Sequence, residues 1–293
     1  MTNNVRHFAP KTLHKKAEFL VLIPAYNCEK FISTAIGSVL KQKNVAIRLV
    51  VSENCSKDQS LEQIIAAVER NTVHDVEVIR QPKTLNMVDH WNYLIDYASG
   101  CHEEAFSILH ADDVLLGEDT LAVGLNGLRQ HPEVNLVFSG VAYINGSGRV
   151  IGRRAMRSDT LFDMKRIARA SVIRASNRFG IPIAMRSTAM KRFAVDYKYA
   201  MDIDYILRVN EGKLLSIYKS YCHVGYRTHL GSATYSVQKG AFQDFVKLNR
   251  EFDIGLNWLE LSASRFLSFA NPMLRRLWIA AATSFKQSAS DQG

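Results

Sequence analysis

Phe106-Ser107-Ile108-Leu109-His110-Ala111-Asp112-Asp113-Val114-Leu115-Leu116 is the stretch on which the reading of this chain turns. A short apolar run, read as a buried strand, ends in two adjacent carboxylates. In an open α/β sheet, ligands bind just beyond the carboxyl ends of the strands. Two carboxylates placed there suit a hard divalent cation, which prefers oxygen ligands and can hold a diphosphate. An isolated Asp-Asp pair is more often a solvated turn, so the rest of the chain has to decide.

Upstream, the pattern repeats. Phe19 to Pro24 is an apolar run ended by proline, a buried strand of a parallel sheet. Ala25-Tyr26-Asn27 follows as a loop, with Asn27 a candidate N-cap. Phe31, Ile32, Ala35, Ile36, Val39 and Leu40 then share one helical face. Ile47 to Ser52 is a second strand, leaving through Glu53-Asn54-Cys55-Ser56-Lys57-Asp58. Leu61, Ile64, Ile65 and Val68 mark a helix, Val76 to Ile79 a third strand, and Met87, Trp91, Leu94, Ile95 and Ala98 another helix. The alternation β-α-β-α-β-α-β predicts a mostly parallel sheet flanked by helices, with right-handed crossovers. No Gly-x-Gly-x-x-Gly follows the first strand and no Walker loop occurs, which argues against a dinucleotide-binding Rossmann domain and a P-loop enzyme.

After about residue 130 the pattern changes. Leu136 to Phe138 and Val141 to Ile144 read as strands, Gly146-Ser147-Gly148 as a turn, and Val150-Ile151 as a returning strand. Asp204 to Val209 reads as helix and Leu214 to Tyr218 as strand. Two helical stretches, 240–253 and 257–286, close the chain, the second broken at Pro272 into two short helices. Residues 1–17 read as a tail. The organisation expected is 18–235 as one domain, with 18–130 its nucleotide-binding half and 131–235 its acceptor half, and 236–293 as a helical extension.

Of 293 residues, 47% are hydrophobic and 22% charged, enough apolar material for a sizeable core. The net charge of +9 favours an anionic partner. Arginines crowd residues 149–192, including Arg149, Arg153, Arg154, Arg157, Arg174 and Arg178, with few acids to offset them. They form either a solvated face or a surface that meets an anion. Nucleic acid is not expected, because no recognition motif accompanies the charge. Cys28, Cys55, Cys101 and Cys222 are scattered, so neither a zinc site nor a disulfide framework is signalled, and a reducing cytoplasm fits. The polar, basic start shows no signal peptide, and no apolar run of about 20 residues predicts a membrane span.

Five segments in order resemble the family 2 glycosyltransferases, inverting enzymes of the GT-A fold. They are Val21-Leu22-Ile23-Pro24-Ala25-Tyr26-Asn27, Ser52 to Asp58, Leu109 to Asp113, Tyr199-Ala200-Met201-Asp202-Ile203-Asp204-Tyr205, and Tyr226-Arg227-Thr228-His229-Leu230-Gly231-Ser232. The resemblance covers roughly residues 19–235. It implies that Pro24, Ala25, Tyr26 and Asn27 form the loop beside the nucleotide, with Tyr26 near the base. Glu53, followed by Asn54, stands where the family has an aspartate accepting from N3–H of uracil or thymine. Asp112 matches the metal-binding aspartate, which also places it against the nucleotide, while His110 replaces the first acid of that motif. Asp113 supports the metal shell or caps the next segment.

His229 matches a histidine that closes over the diphosphate and ligates the metal in some relatives, and Arg227 is placed to pair with phosphate oxygens. Asp202 matches the general base, with Met201 in place of an accompanying glutamate; near a helix start it could instead be an N-cap. The resemblance therefore implies a glycosyltransferase using a divalent metal, Mn2+ or Mg2+. It would move a sugar from a UDP- or dTDP-sugar to a hydroxyl of a glycan or lipid-linked glycan, in bacterial surface-polysaccharide assembly. The alternative is a catalytically silent nucleotide- or glycan-binding module of the same fold. The C-terminal stretch, with Phe266, Leu267, Phe269 and Trp278 among Arg265, Arg275 and Arg276, either packs on the domain or lies on the anionic inner face of the membrane.

Overall fold

Side chains along Phe19–Ala25 (β2) alternate between two interiors. Phe19, Val21, Ile23 and Ala25 enter one apolar cluster, Leu20 and Leu22 another, and all are buried. A strand wet on neither face must lie mid-sheet with a layer on each side, and the computed structural model shows this arrangement. It describes residues 4–8, 16–70, 73–211, 213, 215–229 and 241–284, with 272–284 as backbone only.

The elements follow in the order β1 (Asn4–Phe8), β2, α1 (Ile32–Leu40), β3 (Ile47–Glu53), α2 (Ser60–Val68), β4 (Asp75–Arg80), α3 (Met87–Ala98) and β5 (Ala105–Ile108). Then come β6 (Val114–Leu115), α4 (Thr120–Gln130), β7 (Leu136–Ile144), β8 (Val150–Arg154), β9 (Thr160–Asp163) and α5 (Met164–Ile173). The last are β10 (Pro182–Arg186), α6 (Met201–Val209), β11 (Leu215–Arg227), α7 (Ala241–Glu251) and α8 (Trp258–Ser284). One sheet runs β1-β4-β3-β2-β5-β10-β7-β11-β6. The expected parallel core is β4-β3-β2-β5. Helices α1, α2 and α4 cover one face, and α3, α5, α6 and α7 the other.

Two strands position the site. β10 runs antiparallel between β5 and β7, joining the first half of the sheet to the second. β6, directly after Asp112-Asp113, pairs antiparallel with β11 through Val224–Leu115 and Gly225–Val114. Gly225 is required there, because a Cβ would stand 2.7 Å from Val114 Cγ2. The pairing carries the end of β11 back over the carboxylates.

Several expectations are corrected. Residues 4–8 are not tail but an edge strand against β4, Val5 opposite Ile79. Asn27 is not an N-cap: α1 is preceded by Phe31, without a side-chain cap. Leu136–Phe138 and Val141–Ile144 are one strand, and the strand expected from Leu214 continues to Arg227. Leu214 itself and Leu230 to Ser232 lie outside the described residues. Pro272 does not break α8. Ser264 Oγ donates to Val172 O at 2.6 Å and Asn271 Nδ2 to Arg174 O at 2.8 Å, so contacts with α5 and the turn after it hold the axis up to the proline. Phe245 and Leu248 of α7 are fully buried in the domain core.

Candidate active site

The loops after β2 and β3 are tied to each other. Asn27 takes a left-handed conformation, φ 45°, its N–H donates to Ser56 Oγ at 3.0 Å, and its Oδ1 accepts from Lys57 N at 3.0 Å. Cys28 N–H donates to Ser60 Oγ at 2.8 Å. Pro24 and Ala25 lie in the buried end of β2, paired with Ser52 and Glu53. Tyr26, by contrast, stands out at 44% exposure, a free ring at the carboxyl edge of the sheet.

Glu53 and Asn54 do not face open space as expected. Glu53 is wholly buried, and its Oε1 accepts from Ser56 N at 2.5 Å, closing the turn. Its Oε2 has no hydrogen-bond partner and lies 3.6 Å from Arg80 Nε. Asn54 exchanges two 2.9 Å hydrogen bonds with the main chain of Leu85, pinning the entry to α3. Both side chains spend oxygens on main-chain N–H groups, Glu53 within its own turn and Asn54 on a segment 31 residues away.

Beyond β5, Asp112 and His229 meet, although 117 residues separate them: Asp112 Oδ2 lies 2.9 Å from His229 Nε2. Burial pushes the Asp112 carboxyl up, but the His229 hydrogen bond and the His110 and His229 charges outweigh it and hold it below its usual value. His110 packs against Trp91, ring centres 5.1 Å apart, and offers Nδ1 3.6 Å from Asp113 Oδ2. One ligand atom from each of His110, Asp112 and Asp113 lies within 4.8 Å of the others. Asp113 is a weak candidate within that group. It is buried, its Oδ1 accepts from Arg227 N at 2.8 Å, and burial together with the Asp112 charge pushes its carboxyl well up. Carboxylate oxygen plus imidazole nitrogen is a donor set that fits a divalent transition ion such as Mn2+ better than Mg2+. Asp112, His229 and His110 are the groups that would hold it.

Arg227 braces the main chain around Asp112. Nε donates to Asp112 O at 2.7 Å, Nη1 to Asn145 O at 3.0 Å, and the group lies over the Phe31 ring at 4.7 Å. A buried cation needs acceptors, and Arg227 Nε and Nη1 find them in carbonyls, so the side chain shapes the Asp112 turn.

Asp202 lies in the first turn of α6. The N-cap is Ala200, so the capping alternative does not hold. Oδ2 accepts from Asn177 Nδ2 at 2.7 Å and Oδ1 from Ile203 N at 2.9 Å. Burial pushes its carboxyl up, opposed by the Asn177 hydrogen bond and the His110 charge, the direction a general base needs. Asp204, two residues on, turns inward to Arg208, with Oδ2 2.5 Å from Nη2. Two positioning residues escaped the sequence reading. Asn177 holds Asp202, and Asp244 of α7 receives the N–H groups of Lys198, Tyr199 and Ala200 at 2.9, 2.5 and 2.9 Å, fixing the approach to α6.

A GT-A sheet with a carboxylate-histidine pair beyond β5 and a half-buried carboxylate, Asp202, in the first turn of α6 suits a sugar transferase. The chain belongs to glycosyl transferase family 2, whose description matches residues 20–200. It is similar to the crystal structure of S. aureus TarS 1-349 in complex with UDP, with TM-score 0.61 and 15% identity over 85% of this chain and 69% of that one. Mannosyltransferase PcManGT from Pyrobaculum calidifontis, in complex with GDP-Man and Mn2+, gives TM-score 0.56 and 16% identity over 94% and 76%. Against the longer S. aureus TarS structure, the chain covers 39% of that protein, at TM-score 0.56 and 17% identity. No curated protein matches by sequence.

Proposed function

We propose that this family 2 enzyme is an inverting, divalent-metal-dependent glycosyltransferase. It would transfer a sugar from a UDP- or dTDP-sugar to a hydroxyl of a glycan or lipid-linked glycan in surface-polysaccharide assembly. The observation that carries this reading is the Asp112–His229 contact, closed over the end of β5 at 2.9 Å. Residues 18–130 serve the donor and 131–235 the acceptor.

Asp202 takes the proton from the acceptor hydroxyl as that oxygen attacks the anomeric carbon from the face opposite the diphosphate. Asn177 keeps Oδ2 aimed, and Asp244 keeps the first turn of α6 in place. The metal, when bound, supplies Lewis-acid neutralisation of the leaving diphosphate. Tyr26 offers its ring to the base. The unpartnered Glu53 Oε2 is the acceptor for N3–H of uracil or thymine once the rim at Arg80 moves aside. A thermal-shift panel of UDP, dTDP, CDP and GDP, each with and without Mn2+, tests the reading, because a ligand of the native state raises apparent stability. UDP or dTDP should shift Tm only with Mn2+. No shift with any nucleotide in Mn2+ would sink the proposal.

Among the described residues no helix is long and apolar enough to cross a membrane. We place the enzyme in the cytoplasm, peripheral at the inner membrane face. The support is the first half of α8, where Trp258 (73%), Phe266 (69%) and Phe269 (84%) stand exposed. Large apolar groups beside an exposed basic Arg265 suit a helix lying among headgroups. The side chains from 272 onward, including Trp278, Arg275 and Arg276, lie outside the described ones. Flotation with anionic liposomes at low and high salt is the check. Protein left in the soluble fraction at low salt would end the membrane assignment.

A further inference from the structure

The arginines of residues 149–192 sort into two sets. Some are structural: Arg169 takes both Glu260 oxygens at 2.5 and 2.6 Å, Arg186 donates to Leu128 O at 2.8 Å, and Arg192 pairs with Asp96 at 3.0 Å. Arg154, Arg174 and Arg178 are different. They come from two separate segments, the end of β8 and the turn between α5 and β10, yet they converge. Among the described residues no carboxylate forms an ion pair with any of them. The Arg154 guanidinium reaches the turn that carries the other two, its Nη2 3.5 Å from where a Cβ at Gly180 would stand, and Arg174 and Arg178 are exposed on that turn. Burial and then the Arg154 and Arg174 charges pull the Arg178 guanidinium below its usual value.

The turn that gathers them is fixed. Ala175 is left-handed, φ 46°, and Gly180 likewise, φ 98°. Arg178 N donates to Ser171 Oγ at 3.0 Å, and Asn177 Oδ1 accepts from Phe179 N at 2.9 Å. Arg154 Nη1 donates to Asn177 O at 3.2 Å. The same Asn177 gives its amide to Asp202. One asparagine therefore separates the arginine cluster from the base. On its other side the turn meets α8, through Asn271 Nδ2 on Arg174 O at 2.8 Å, so the cluster also adjoins the helix with the exposed aromatic side chains.

Arginines gathered at one turn, with no carboxylate among the described residues paired to them, make a positive surface that favours an anion. Guanidinium groups from two directions match the oxygens of a phosphate or diphosphate. We propose that Arg154, Arg174 and Arg178 form an acceptor subsite for a phosphate or diphosphate group, so that the enzyme's acceptor is a phosphate-bearing sugar. This rests on the reading of Asp202 as base for its meaning in catalysis, though not for the anion site itself. The phosphate could come from a lipid diphosphate or from a soluble phosphorylated glycan, and both present the same chemistry.

Isothermal titration in EDTA, without metal, separates this subsite from the donor site. The probes are inorganic pyrophosphate, farnesyl diphosphate below its micellar concentration, and farnesol as neutral control. Pyrophosphate should bind in a salt-sensitive way, and Arg174→Gln/Arg178→Gln should weaken it at least about tenfold, since each lost charge-assisted contact is worth a comparable factor. Arg178→Lys should retain most of the affinity, and both variants should keep the wild-type UDP affinity in Mn2+. Farnesyl diphosphate binding tighter than pyrophosphate assigns the anion to a lipid, and equal affinities assign it to a soluble glycan. Equal pyrophosphate affinity in wild type and the double variant overturns the subsite. Loss of UDP binding by the wild type, with pyrophosphate binding intact, would instead overturn the donor reading and leave the subsite standing.

Discussion

Asp244→Ala is the most revealing single substitution, because the residue lies outside the family-matched segment and yet fixes the approach to α6, the helix that carries Asp202. One oxygen, Oδ2, accepts three main-chain N–H groups from Lys198, Tyr199 and Ala200. Two of the three bonds are half-buried, so water can take over there, at about 0.5–1.5 kcal/mol each. The Ala200 bond is buried, and an N–H left without a partner there costs about 1.5–3 kcal/mol when the lost acceptor was charged. The substitution should therefore destabilise by about 3–6 kcal/mol, a large share of a typical domain's 5–15 kcal/mol. Asp244→Asn keeps an oxygen but not the charge and should cost about half as much. Guanidinium unfolding gives the first number. Steady-state transfer at a temperature where both variants stay folded gives the second. There kcat should fall in Asp244→Asn, with donor affinity unchanged, because the first turn of α6 carries Asp202. An alanine variant with wild-type midpoint and wild-type kcat would refute the idea that α7 sets the base.

Asp202→Asn should cut kcat by about 10²–10⁴-fold, the usual share of general-base catalysis, with donor affinity intact. Asn177→Ala removes a donor that favours the charged carboxylate, so the Asp202 carboxyl rises further and the acid limb of the kcat profile moves to higher pH; an unmoved limb would make Asn177 merely structural. Asp112→Asn should abolish the Mn2+-dependent part of nucleotide binding, since a neutral amide is a poor ligand for a hard cation; titration of UDP with and without Mn2+ is the readout. Arg48→Met strands the buried Glu77, which Arg48 Nε meets at 2.6 Å, and should cost about 3–5 kcal/mol at neutral pH. Burial would raise the Glu77 carboxyl, but the Arg48 and Tyr97 bonds outweigh it and hold it below its ordinary 4.5. That stabilisation is present above pH 4.5 and fades as pH falls through the folded value. The deficit of the variant should shrink in acid, and a pH-independent deficit would count against the ion pair.

The first half of the fold was legible because β2, β3, β4 and β5 are short apolar runs separated by amphipathic helices. Elements that depend on distant partners were not. β10, Pro182-Ile183-Ala184-Met185-Arg186, opens on a proline inside an arginine-rich run, and only its pairing with β5 and β7 makes it a strand. Helix α4 carries Gly124 and Gly127, which weaken helical propensity. Gly124 is there because a Cβ would stand 2.7 Å from Ala184 Cβ, a constraint visible only in three dimensions. The site divides in the same way. Asp112, Asp202 and His229 stood out through their resemblance to family motifs. Asn177 and Asp244 did not, since their partners lie 25 and 44–46 residues away in sequence. The carbonyl contacts of Arg227 were not legible either, because charge alone does not tell which acceptors a guanidinium will meet.

The insertion of β10 between β5 and β7 bears on how the protein is made. Until β10 has been synthesised, β5 presents an open edge, a template for pairing with any other extended chain. The first half of the sheet therefore cannot finish folding while the second half is still inside the ribosome, and ln kfold should be low for a chain whose central pairings are this non-local. Once the strand is in place, the two sides share a continuous ladder with no hinge across it. Any closure around a substrate then has to come from the loops at the rim and not from a movement of one half against the other.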